Sequence, residues 1–364
     1  MNCRFLYVVG QLGPGGLERQ LYYLLKTMDR GRYRPEVVVW NFRSDDTYVP
    51  CIQKLGVPLH SFPDTLSAAG KLSAFRRMVK RMRPEVIHSY TFYTNIAVWW
   101  GTLGMKTIAF GAVRSNFTND KKSCGFLLGR LSARWPHTQI YNNFAGAEKA
   151  RQSRSLFAPR RVFVVRNGLD LALFRRVPLP PNGQVRIVGV GSLLQIKRWD
   201  RLLTAALNLK KKGLDFVVEI AGGGPLRESL EQQARDLGVA DRVRLIGHTD
   251  DIPGLIASST LLAHTSDIEG CPNVVMEAMA CGRAVVATDA GDIPALIEDG
   301  KAGFVVRCGD EEELADRMAK LITDRDLCRR MGEAGRAKAE REFGLDRLMS
   351  ETFAAYRASG WKDS

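Results

Sequence analysis

The sequence predicts an α/β protein of two Rossmann-like domains facing a central cleft. Its 364 residues exceed the roughly 250–300 over which one hydrophobic core usually grows, so two domains are expected. In both halves, short runs rich in β-branched residues alternate with helical patterns, which is typical of doubly wound parallel sheets. A cluster of prolines with Asn and Gly at 178–183 marks the boundary between domains at 1–177 and 183–344.

The strand-like runs come in two series. The predicted strands of the first half are Phe5–Gly10, Glu36–Phe42, Glu85–Tyr90 and Thr107–Val113. Those of the second half are Val185–Val190, Phe216–Ile220, Val243–Ile246, Leu261–Thr265, Ala284–Thr288 and Gly303–Val306. The tail from about Glu311 is almost wholly helical. Because ligands of such sheets bind beyond the carboxyl ends of the strands, the loops after these strands are the place to look for chemistry.

Composition limits the class of protein. Hydrophobic residues make up 45% and charged residues 25%, which is ordinary for a globular chain. The seven cysteines are odd in number and contain no Cys-x-x-Cys pair, which favours a reducing cytosol over a disulfide framework or a structural zinc site. No stretch approaches the ~20 apolar residues of a spanning helix. A cytoplasmic protein, peripheral at most on the inner face of a membrane, is therefore expected.

Charge is divided unevenly along the chain. Residues 1–182 contain 28 basic and 10 acidic residues, a net +18, whereas residues 183–364 contain 25 and 29, a net −4. A basic half suggests an anionic partner, which could be a membrane surface, a phosphorylated substrate or a nucleic acid. Nucleic acid is disfavoured because no recognised motif or aromatic platform accompanies the charge.

Two loops have the features of phosphate sites. Gly10–Arg19, which includes Gly15 and Gly16, follows the first strand and leads into a helix whose N–H groups could bind an anion. The alternatives there are a tight turn without a ligand and a nicotinamide cofactor, although the acidic residue of the dinucleotide fingerprint is missing. Lys197 follows the strand at 185–190, where its cation suits a phosphate; a solvated lysine is the alternative.

The segment Ser266–Gly282 carries the strongest signal. Glu269 lies in the loop after a strand, and Glu277 lies about one turn into the helix that starts near Pro272. Two carboxylates beside a helix N-terminus can accept hydrogen bonds from several sugar hydroxyls. A carboxylate inside the otherwise apolar run at 274–279 would be costly without such a partner. The alternative is that the two glutamates only interact favourably with the positive end of the helix dipole, which explains Glu269 better than Glu277.

At these residues the chain resembles retaining glycosyltransferase family 4, which has the GT-B fold. The match consists of Glu269-x7-Glu277 with the following Ala-Met-Ala-Cys-Gly, then Gly291-Asp292-Ile293-Pro294 and Asp299–Phe304. Gly15–Arg19 and Asn167–Asp170 look like the same family, more loosely. The similarity runs from about residue 5 to 345.

The resemblance implies roles by position. Glu277 would hold the nucleotide ribose, Glu269 would contact the donor sugar, and Lys197 would neutralise the diphosphate. Gly15 and Gly16 would approach the diphosphate from the other domain. The further donor-binding candidates are Arg198, His248, Cys271, Asn273 and Val274. Many relatives carry Arg at the position of Ser192, so Arg198 or Arg114 is a candidate replacement. The last helix, within 345–364, would pack back on the first domain.

Three first-half residues are candidates for the acceptor side: His88, Arg114 and Asn116. His88, in His88-Ser89-Tyr90, is expected to follow a first-half strand and so to face the cleft. It could be structural, an acceptor contact or a general base. Arg114 and Asn116 stand in the loop where some relatives carry a histidine.

The expected function is transfer of a sugar from a nucleoside diphosphate sugar to an acceptor hydroxyl, with retention. The acceptor would be a lipid-linked saccharide or another cell-envelope glycan precursor. No cofactor and no metal are expected, because the one Asp-x-Asp match, Asp324–Asp326, lies in the helical tail. A sugar-nucleotide epimerase of the same fold and an inactive sugar-nucleotide-binding protein are the alternatives.

Two basic, apolar segments predict attachment to an anionic membrane. Residues 71–83 contain six basic and no acidic residues, with Leu72, Phe75, Val79 and Met82 at helical spacing. The second segment has Lys121 and Lys122, followed by the apolar run 126–128, Arg130 and Arg134. The alternative is that the apolar stripe packs on the sheet and the arginines are solvated.

Overall fold

The computed structural model describes residues 4–114, 124–181 and 184–363. They form two compact units, one of Met1–Gly168 with Leu345–Ser364 and the other of Leu169–Gly344. Several residues named above lie outside the described ranges: Asn116, Lys121, Lys122 and the Asn182-Gly183 end of the predicted boundary. Each unit is an α/β layer structure built on a parallel sheet, as the sequence predicts.

The first unit has a seven-stranded sheet in the described residues, in the order β3-β2-β1-β4-β5-β6-β7. Its strands are β1 (Phe5–Val9), β2 (Pro35–Val39), β3 (Leu59–His60), β4 (Val86–Ser89), β5 (Ile108–Val113), β6 (Thr138–Tyr141) and β7 (Arg161–Val164). Every strand pair is parallel, with Phe5 opposite Pro35 on one side and Val86 on the other. The four predicted strands are present, and β3, β6 and β7 are additional.

The helices of this unit cover both faces of the sheet. They are α1 (Gly16–Thr27), α2 (Tyr48–Lys54), α3 (Ala68–Met82), α4 (Asn95–Thr102), α5 (Phe126–Arg134) and α6 (Phe144–Gln152), with the carboxyl-terminal helix Leu345–Ala358 described below. On α3, Phe75 and Val79 are fully buried, and Leu72 and Met82 pack against the same cluster. The apolar stripe of α3 therefore belongs to the core, and its interpretation as a membrane-facing stripe is wrong.

The carboxyl-terminal segment belongs to the first unit. Phe353, Tyr356 and Trp361 are buried in the same core cluster as Phe5 of β1. The ring centroids of Phe5 and Phe353 lie 5.3 Å apart, and those of Phe5 and Trp361 lie 5.2 Å apart in an edge arrangement. Such aromatic pairs add to the energy of burial, so this segment completes the core of a sheet that begins over 340 residues earlier.

The second unit has a six-stranded parallel sheet in the described residues, in the order β10-β9-β8-β11-β12-β13. The strands are β8 (Val185–Val190), β9 (Phe216–Ala221), β10 (Val243–Gly247), β11 (Leu261–His264), β12 (Ala284–Thr288) and β13 (Gly303–Val306). All six predicted strands are present. The near-continuous apolar character of the strands other than β10, which lies at the edge of the sheet and is half exposed, follows from burial on both faces by helices.

The helices of the second unit are α7 (Trp199–Lys211), α8 (Arg227–Asp236), α9 (Ile252–Ala257), α10 (Asn273–Ala280), α11 (Ile293–Leu296), α12 (Glu311–Thr323) and α13 (Arg325–Glu342); α14 (Leu345–Ala358) is the helix assigned to the first unit. The unit starts earlier than the proline cluster indicates, because Leu169 and Phe174 are buried in its core. Asp324 accepts a hydrogen bond from the backbone N–H of Leu327 at 2.8 Å, so this member of the Asp-x-Asp match caps α13.

Across the described ranges, no helix combines the length and the apolar character needed to cross a bilayer.

Candidate functional site

The second sheet reverses its strand order between β8 and β11. From β8 the sheet runs through β9 to β10 on one side, and through β11 to β13 on the other. The helices that follow two such neighbouring strands lie on opposite faces, which leaves a crevice at the carboxyl ends. The loops after β8 and β11 contain Lys197 and Glu269, so the fold brings these two predicted residues to the point where ligands of open α/β sheets bind.

These two loops are tied together by hydrogen bonds. Lys197 ends a short 3₁₀ turn, Gln195–Lys197. Its carbonyl accepts from the Thr265 hydroxyl at 2.9 Å, and the carbonyl of Ile196 accepts from the N–H of Asp267 at 3.0 Å. The backbone that carries Lys197 is thereby fixed by the loop that carries Glu269.

Lys197 and Glu269 form an ion pair in which Lys197 Nζ lies 2.6 Å from Glu269 Oε1. The same oxygen lies 3.0 Å from Nε2 of His264, the last residue of β11. Burial raises the pKa of Glu269, but the hydrogen bond from His264, with the charges of His264 and Lys197, outweighs it and lowers the pKa to about 2. Glu269 is therefore an ionised hydrogen-bond acceptor at any physiological pH.

A glycine holds the backbone of Glu269 from the opposite side. Gly291 has φ of +58°, and a Cβ built there would lie 2.3 Å from the carbonyl oxygen of Glu269. The N–H of the next residue, Asp292, donates to the carbonyl of Gly270 at 3.1 Å. The Gly291-Asp292 pair of the family-like motif is thus a backbone support for the Glu269 loop, and only glycine fits that contact.

Helix α10 follows the Glu269 loop and carries three further candidates, and a fourth, Cys271, lies just before it. Pro272 at its N-cap position supplies no side-chain cap to the first N–H groups. Asn273 and Val274 in the first turn are half-buried. Glu277 is 3% exposed, and it lies on the same face as Asn273 because residues four apart stack along a helix. Cys271 is buried, with its sulfur 3.6 Å from that of Met276, which places it in the packing beneath the helix.

Arg198 is held by two acids. Its Nε lies 3.0 Å from Asp200 Oδ1, and its Nη1 lies 2.9 Å from Asp267 Oδ2. These hydrogen bonds, with Asp200 as the stronger partner, raise the pKa of Arg198 further above its usual value. Arg201 contacts the other oxygen of Asp267. Phosphate binding by Arg198 remains a prediction. A phosphate would have to compete with Asp200 and Asp267 for the hydrogen bonds of the Arg198 guanidinium.

Two other loops of the second unit follow the neighbouring strands β10 and β9. His248 follows β10 and is exposed, 3.2 Å from Asp250 Oδ1. The glycine loop after β9 packs on the loop after β8, since a Cβ at Gly222 would lie 1.9 Å from the carbonyl oxygen of Gly191. Close backbone packing therefore accounts for the glycine at 222.

In the first unit, the glycine loop follows β1, and β1 and β4 flank the order reversal of the sheet. His88 lies within β4, paired with Tyr7 of β1, and does not follow the strand. Gly15 is the N-cap residue of α1, whose first residue is Gly16. A Cβ at Gly15 would meet the carboxylate of Glu18 at 2.0 Å. Because the end of a glutamate side chain can move aside, this contact does not itself require glycine, and phosphate contact by Gly15 and Gly16 remains a prediction.

His88 is 1% exposed and lies among aromatic rings. Its Nδ1 lies 2.8 Å from the hydroxyl of Tyr356. Burial, and then the charge of Arg114, holds the pKa of His88 well below its usual range. This geometry fits the structural interpretation. The guanidinium of Arg114 stacks 3.9 Å from the centre of the Tyr90 ring, and Asn116 lies outside the described residues.

Sequence reasoning missed His264, Asp267 and Arg201. All three lie at or next to the carboxyl end of β11 and the start of α7. His264 and Arg201 stand in no pattern that signals a site, and nothing within the segment Ser266–Gly282 singles out Asp267. A single histidine in an apolar strand, and an Arg–Asp pair 66 residues apart in the chain, become visible only when the strands are placed side by side.

Two family models match the chain, one on each unit. The model described as "Glycosyl transferase 4-like domain" matches residues 15–168, and "Glycosyl transferases group 1" matches residues 172–338. The chain belongs to the glycosyltransferases built from these two domains. The second match includes Lys197, Glu269 and Glu277, and so contains the whole of the site described for the second unit.

Curated relatives of this glycosyltransferase match over part of the chain. N-acetyl-alpha-D-glucosaminyl L-malate synthase of Bacillus anthracis is 29% identical over 170 residues, which are 47% of this chain and 44% of that protein. GDP-mannose-dependent alpha-(1-6)-phosphatidylinositol monomannoside mannosyltransferase of Mycobacterium tuberculosis is 33% identical over 174 residues, 45% of each. The matched part of the chain spans less than half the length of these relatives.

Solved structures match over nearly the whole chain. Anabaena HepE in complex with UDP has a TM-score of 0.82 at 20% identity, covering 98% of this chain and 100% of HepE. The same protein in complex with UDP-glucose has a TM-score of 0.81 at 20% identity, covering 97% and 99%. This likeness confirms the GT-B fold.

Proposed function

We propose that this glycosyltransferase moves a sugar from a nucleoside diphosphate sugar to an acceptor hydroxyl, with retention at the anomeric carbon. The observation that carries the proposal is the pairing of Lys197 with Glu269 at 2.6 Å, at the strand-order reversal of the second sheet. A cation for phosphate and an ionised carboxylate for sugar hydroxyls stand side by side there, next to the start of α10.

Each residue of this site has a task in donor binding. Lys197 leaves Glu269 to contact the diphosphate, and the N–H groups at Asn273 and Val274 face the same negative charge. Glu277 accepts from the ribose hydroxyls, and Glu269 accepts from the sugar. His248, exposed at the end of β10, borders the base.

The chemistry of transfer explains why these groups suffice without a protein nucleophile. Breaking the bond between sugar and phosphate leaves negative charge on the diphosphate and positive charge on an oxocarbenium-like sugar. Lys197 and the amides of α10 stabilise the leaving group. The acceptor hydroxyl attacks from the face that the diphosphate leaves, and its proton passes to the departing phosphate oxygen. This proposal includes no metal ion.

The proposed acceptor is a lipid-linked saccharide or another cell-envelope glycan precursor at the inner face of a membrane. The mannosyltransferase relative has a phosphatidylinositol mannoside in its name. In the first unit, Phe126, Leu127 and Leu128 on α5 are 78%, 63% and 54% exposed. An apolar helix start of this kind, beside Arg130 and Arg134, suits contact with an anionic bilayer.

The proposal is tested by a donor panel that includes UDP-glucose and GDP-mannose, with released nucleoside diphosphate as the readout. Each donor is incubated with and without a lipid extract as acceptor, and with and without excess chelator. Acceptor-dependent release that persists in chelator supports the proposal. Interconversion of the donor alone would indicate an epimerase, and binding without turnover an inactive sugar-nucleotide-binding protein. Loss with chelator and rescue by Mn²⁺ would contradict the proposed metal independence.

A further inference from the structure

His264 is a fully buried histidine at the end of β11 that the proposed mechanism does not use. Its Nε2 lies 3.0 Å from Oε1 of Glu269. Because an ionised carboxylate only accepts hydrogen bonds, Nε2 carries the proton and donates. The other ring nitrogen, Nδ1, is buried and has no hydrogen-bond partner within the described ranges. The polar chemistry of this ring is therefore directed at Glu269 alone.

Two donors converge on one oxygen of Glu269. His264 Nε2 and Lys197 Nζ both contact Oε1, at 3.0 and 2.6 Å. Among the residues that the structure describes, none donates a hydrogen bond to Oε2. Oε2 is also not one of the fully buried polar atoms that lack a partner, so part of its surface is accessible. The side chain is 12% exposed. Oε1 is therefore the anchored oxygen, and Oε2 is the one that remains open to a ligand.

The two donors differ in how firmly they are placed. Lys197 is a flexible side chain that the diphosphate attracts in the proposed mechanism. His264 is fixed by the sheet, since it pairs with Ala287 of β12 in register and none of its surface is exposed. When Lys197 moves to the phosphate, His264 is the donor that stays on Oε1.

We propose that His264 is a positioning residue that anchors Oε1 of Glu269 and thereby aims Oε2 at a hydroxyl of the donor sugar. This inference rests on the proposed function, in which Glu269 contacts the sugar. It adds that selection for the sugar depends on a histidine that never touches it. An anchored, ionised carboxylate already points in the direction from which the sugar hydroxyl donates its hydrogen bond. A freely rotating carboxylate would lose conformational entropy when the sugar binds.

The test compares His264→Leu, which removes the donor, with His264→Gln, whose amide nitrogen can replace Nε2. Affinities for UDP and for UDP-glucose are measured by calorimetry at neutral pH, with GDP and GDP-mannose as the second pair. His264→Leu is expected to weaken binding of the sugar nucleotide about tenfold, the scale of one hydrogen bond to a charged group, and to leave the free nucleotide unchanged. His264→Gln should restore most of the difference.

A double-mutant cycle separates anchoring from general damage. In a Glu269→Ala background, adding His264→Leu should cause no further loss of sugar-nucleotide affinity, because either change alone already removes the contact between the two side chains. Equal weakening of UDP and UDP-glucose by His264→Leu, with no rescue by Gln, would mean a merely structural role and would overturn the inference.

A measurement without ligand keeps the inference separate from the proposed function. Carbon-13 NMR of labelled glutamate carboxyls, with Glu269→Gln to assign the signal, follows Glu269 from pH 7 to 3.5. The pKa of about 2 predicts almost no titration in the wild type over this range, and a clear onset in His264→Leu. Identical curves would overturn the inference. A wild type that binds neither sugar nucleotide would instead contradict the proposed function, while the NMR comparison still decides the role of His264.

Discussion

At the scale of single residues, Glu277 is the most demanding to explain by packing alone, because a carboxylate that is 3% exposed on an apolar helix needs polar partners. If it holds the ribose, Glu277→Ala should weaken binding of the accepted nucleoside diphosphate by ~1.5–3 kcal/mol. Calorimetric titration measures this. Glu312→Ala, which removes an exposed carboxylate of the same unit, serves as the control. Unchanged affinity in a folded Glu277→Ala protein would remove Glu277 from the site.

Glu269 makes a second prediction at this scale, concerning acid stability. Its pKa in the folded protein is about 2, below the ordinary value of 4.5, so the native state favours the ionised form. The resulting stabilisation is fully present above about pH 4.5 and is lost as the pH falls toward 2. The gap in unfolding free energy between wild type and Glu269→Gln should therefore shrink over that range.

Urea denaturation at a series of pH values measures this gap. Glu312→Gln should show no such trend, because its carboxylate is exposed. A gap that stays constant from pH 5 to 2.5 would mean that the contacts of Glu269 with Lys197 and His264 do not favour its ionised form.

At the scale of elements, the support of the Glu269 loop by Gly291 makes a third prediction. Gly291→Ala places a methyl group 2.3 Å from the carbonyl oxygen of Glu269, in a backbone with φ of +58°. Gly300 is a matched control, since its φ is +73° and a Cβ there would meet nothing within 4 Å. Gly300→Ala should cost about 1 kcal/mol of unfolding free energy for the left-handed backbone alone. Gly291→Ala should cost roughly 2–3 kcal/mol and also weaken sugar-nucleotide binding.

Chemical denaturation and calorimetry on the two variants measure both effects. Equal destabilisation by Gly291→Ala and Gly300→Ala would show that the contact with Glu269 relaxes without consequence. In that case Gly291 would be required only for its backbone conformation.

The elements also show what the sequence could predict. The strands β8, β12 and β13 have the predicted bounds, because runs such as Ala284–Thr288 are apolar and end at clear turn signals. Strand β6 was missed. It has only four residues, and its Gln139 is buried with its amide bonded to the carbonyls of Ser132 and Ala133, a tertiary contact that no local pattern announces. His264 could not be predicted for the same reason, because its hydrogen bond to Glu269 depends on the conformation of the loop after β11.

At the scale of the whole molecule, the charge asymmetry has a structural counterpart. The exposed cations of α3, including Arg77, Lys80 and Arg81, remain on the surface of the first unit although its apolar stripe is buried. Arg76 differs from these three, since its guanidinium donates to the carbonyl of Leu103 at 2.9 Å. The first unit thus presents cations on α3 and exposed apolar side chains on α5 as separate features.

This separation shapes the prediction for membrane attachment. Each cation near an anionic bilayer contributes ~1 kcal/mol, so Arg77, Lys80 and Arg81 together should supply about 3 kcal/mol. Replacing the three with Gln should lower the fraction that sediments with phosphatidylglycerol vesicles, mostly at low salt, because the Debye length is only about 8 Å at physiological salt. Replacing Phe126, Leu127 and Leu128 with Ser should lower it at all salt concentrations, since apolar burial is not screened.

The matched control replaces three exposed cations of the second unit, Lys211, Arg307 and Arg330, with Gln, which changes the net charge equally. Calorimetry with the accepted nucleoside diphosphate should give wild-type affinity for the variants of the first unit, because the proposed donor residues lie in the second. If the control and the α3 variant lose vesicle binding to the same extent, overall charge and not α3 is responsible. If all variants sediment like the wild type at low salt, neither α3 nor α5 contacts the bilayer, and a lipid-linked acceptor loses its physical support.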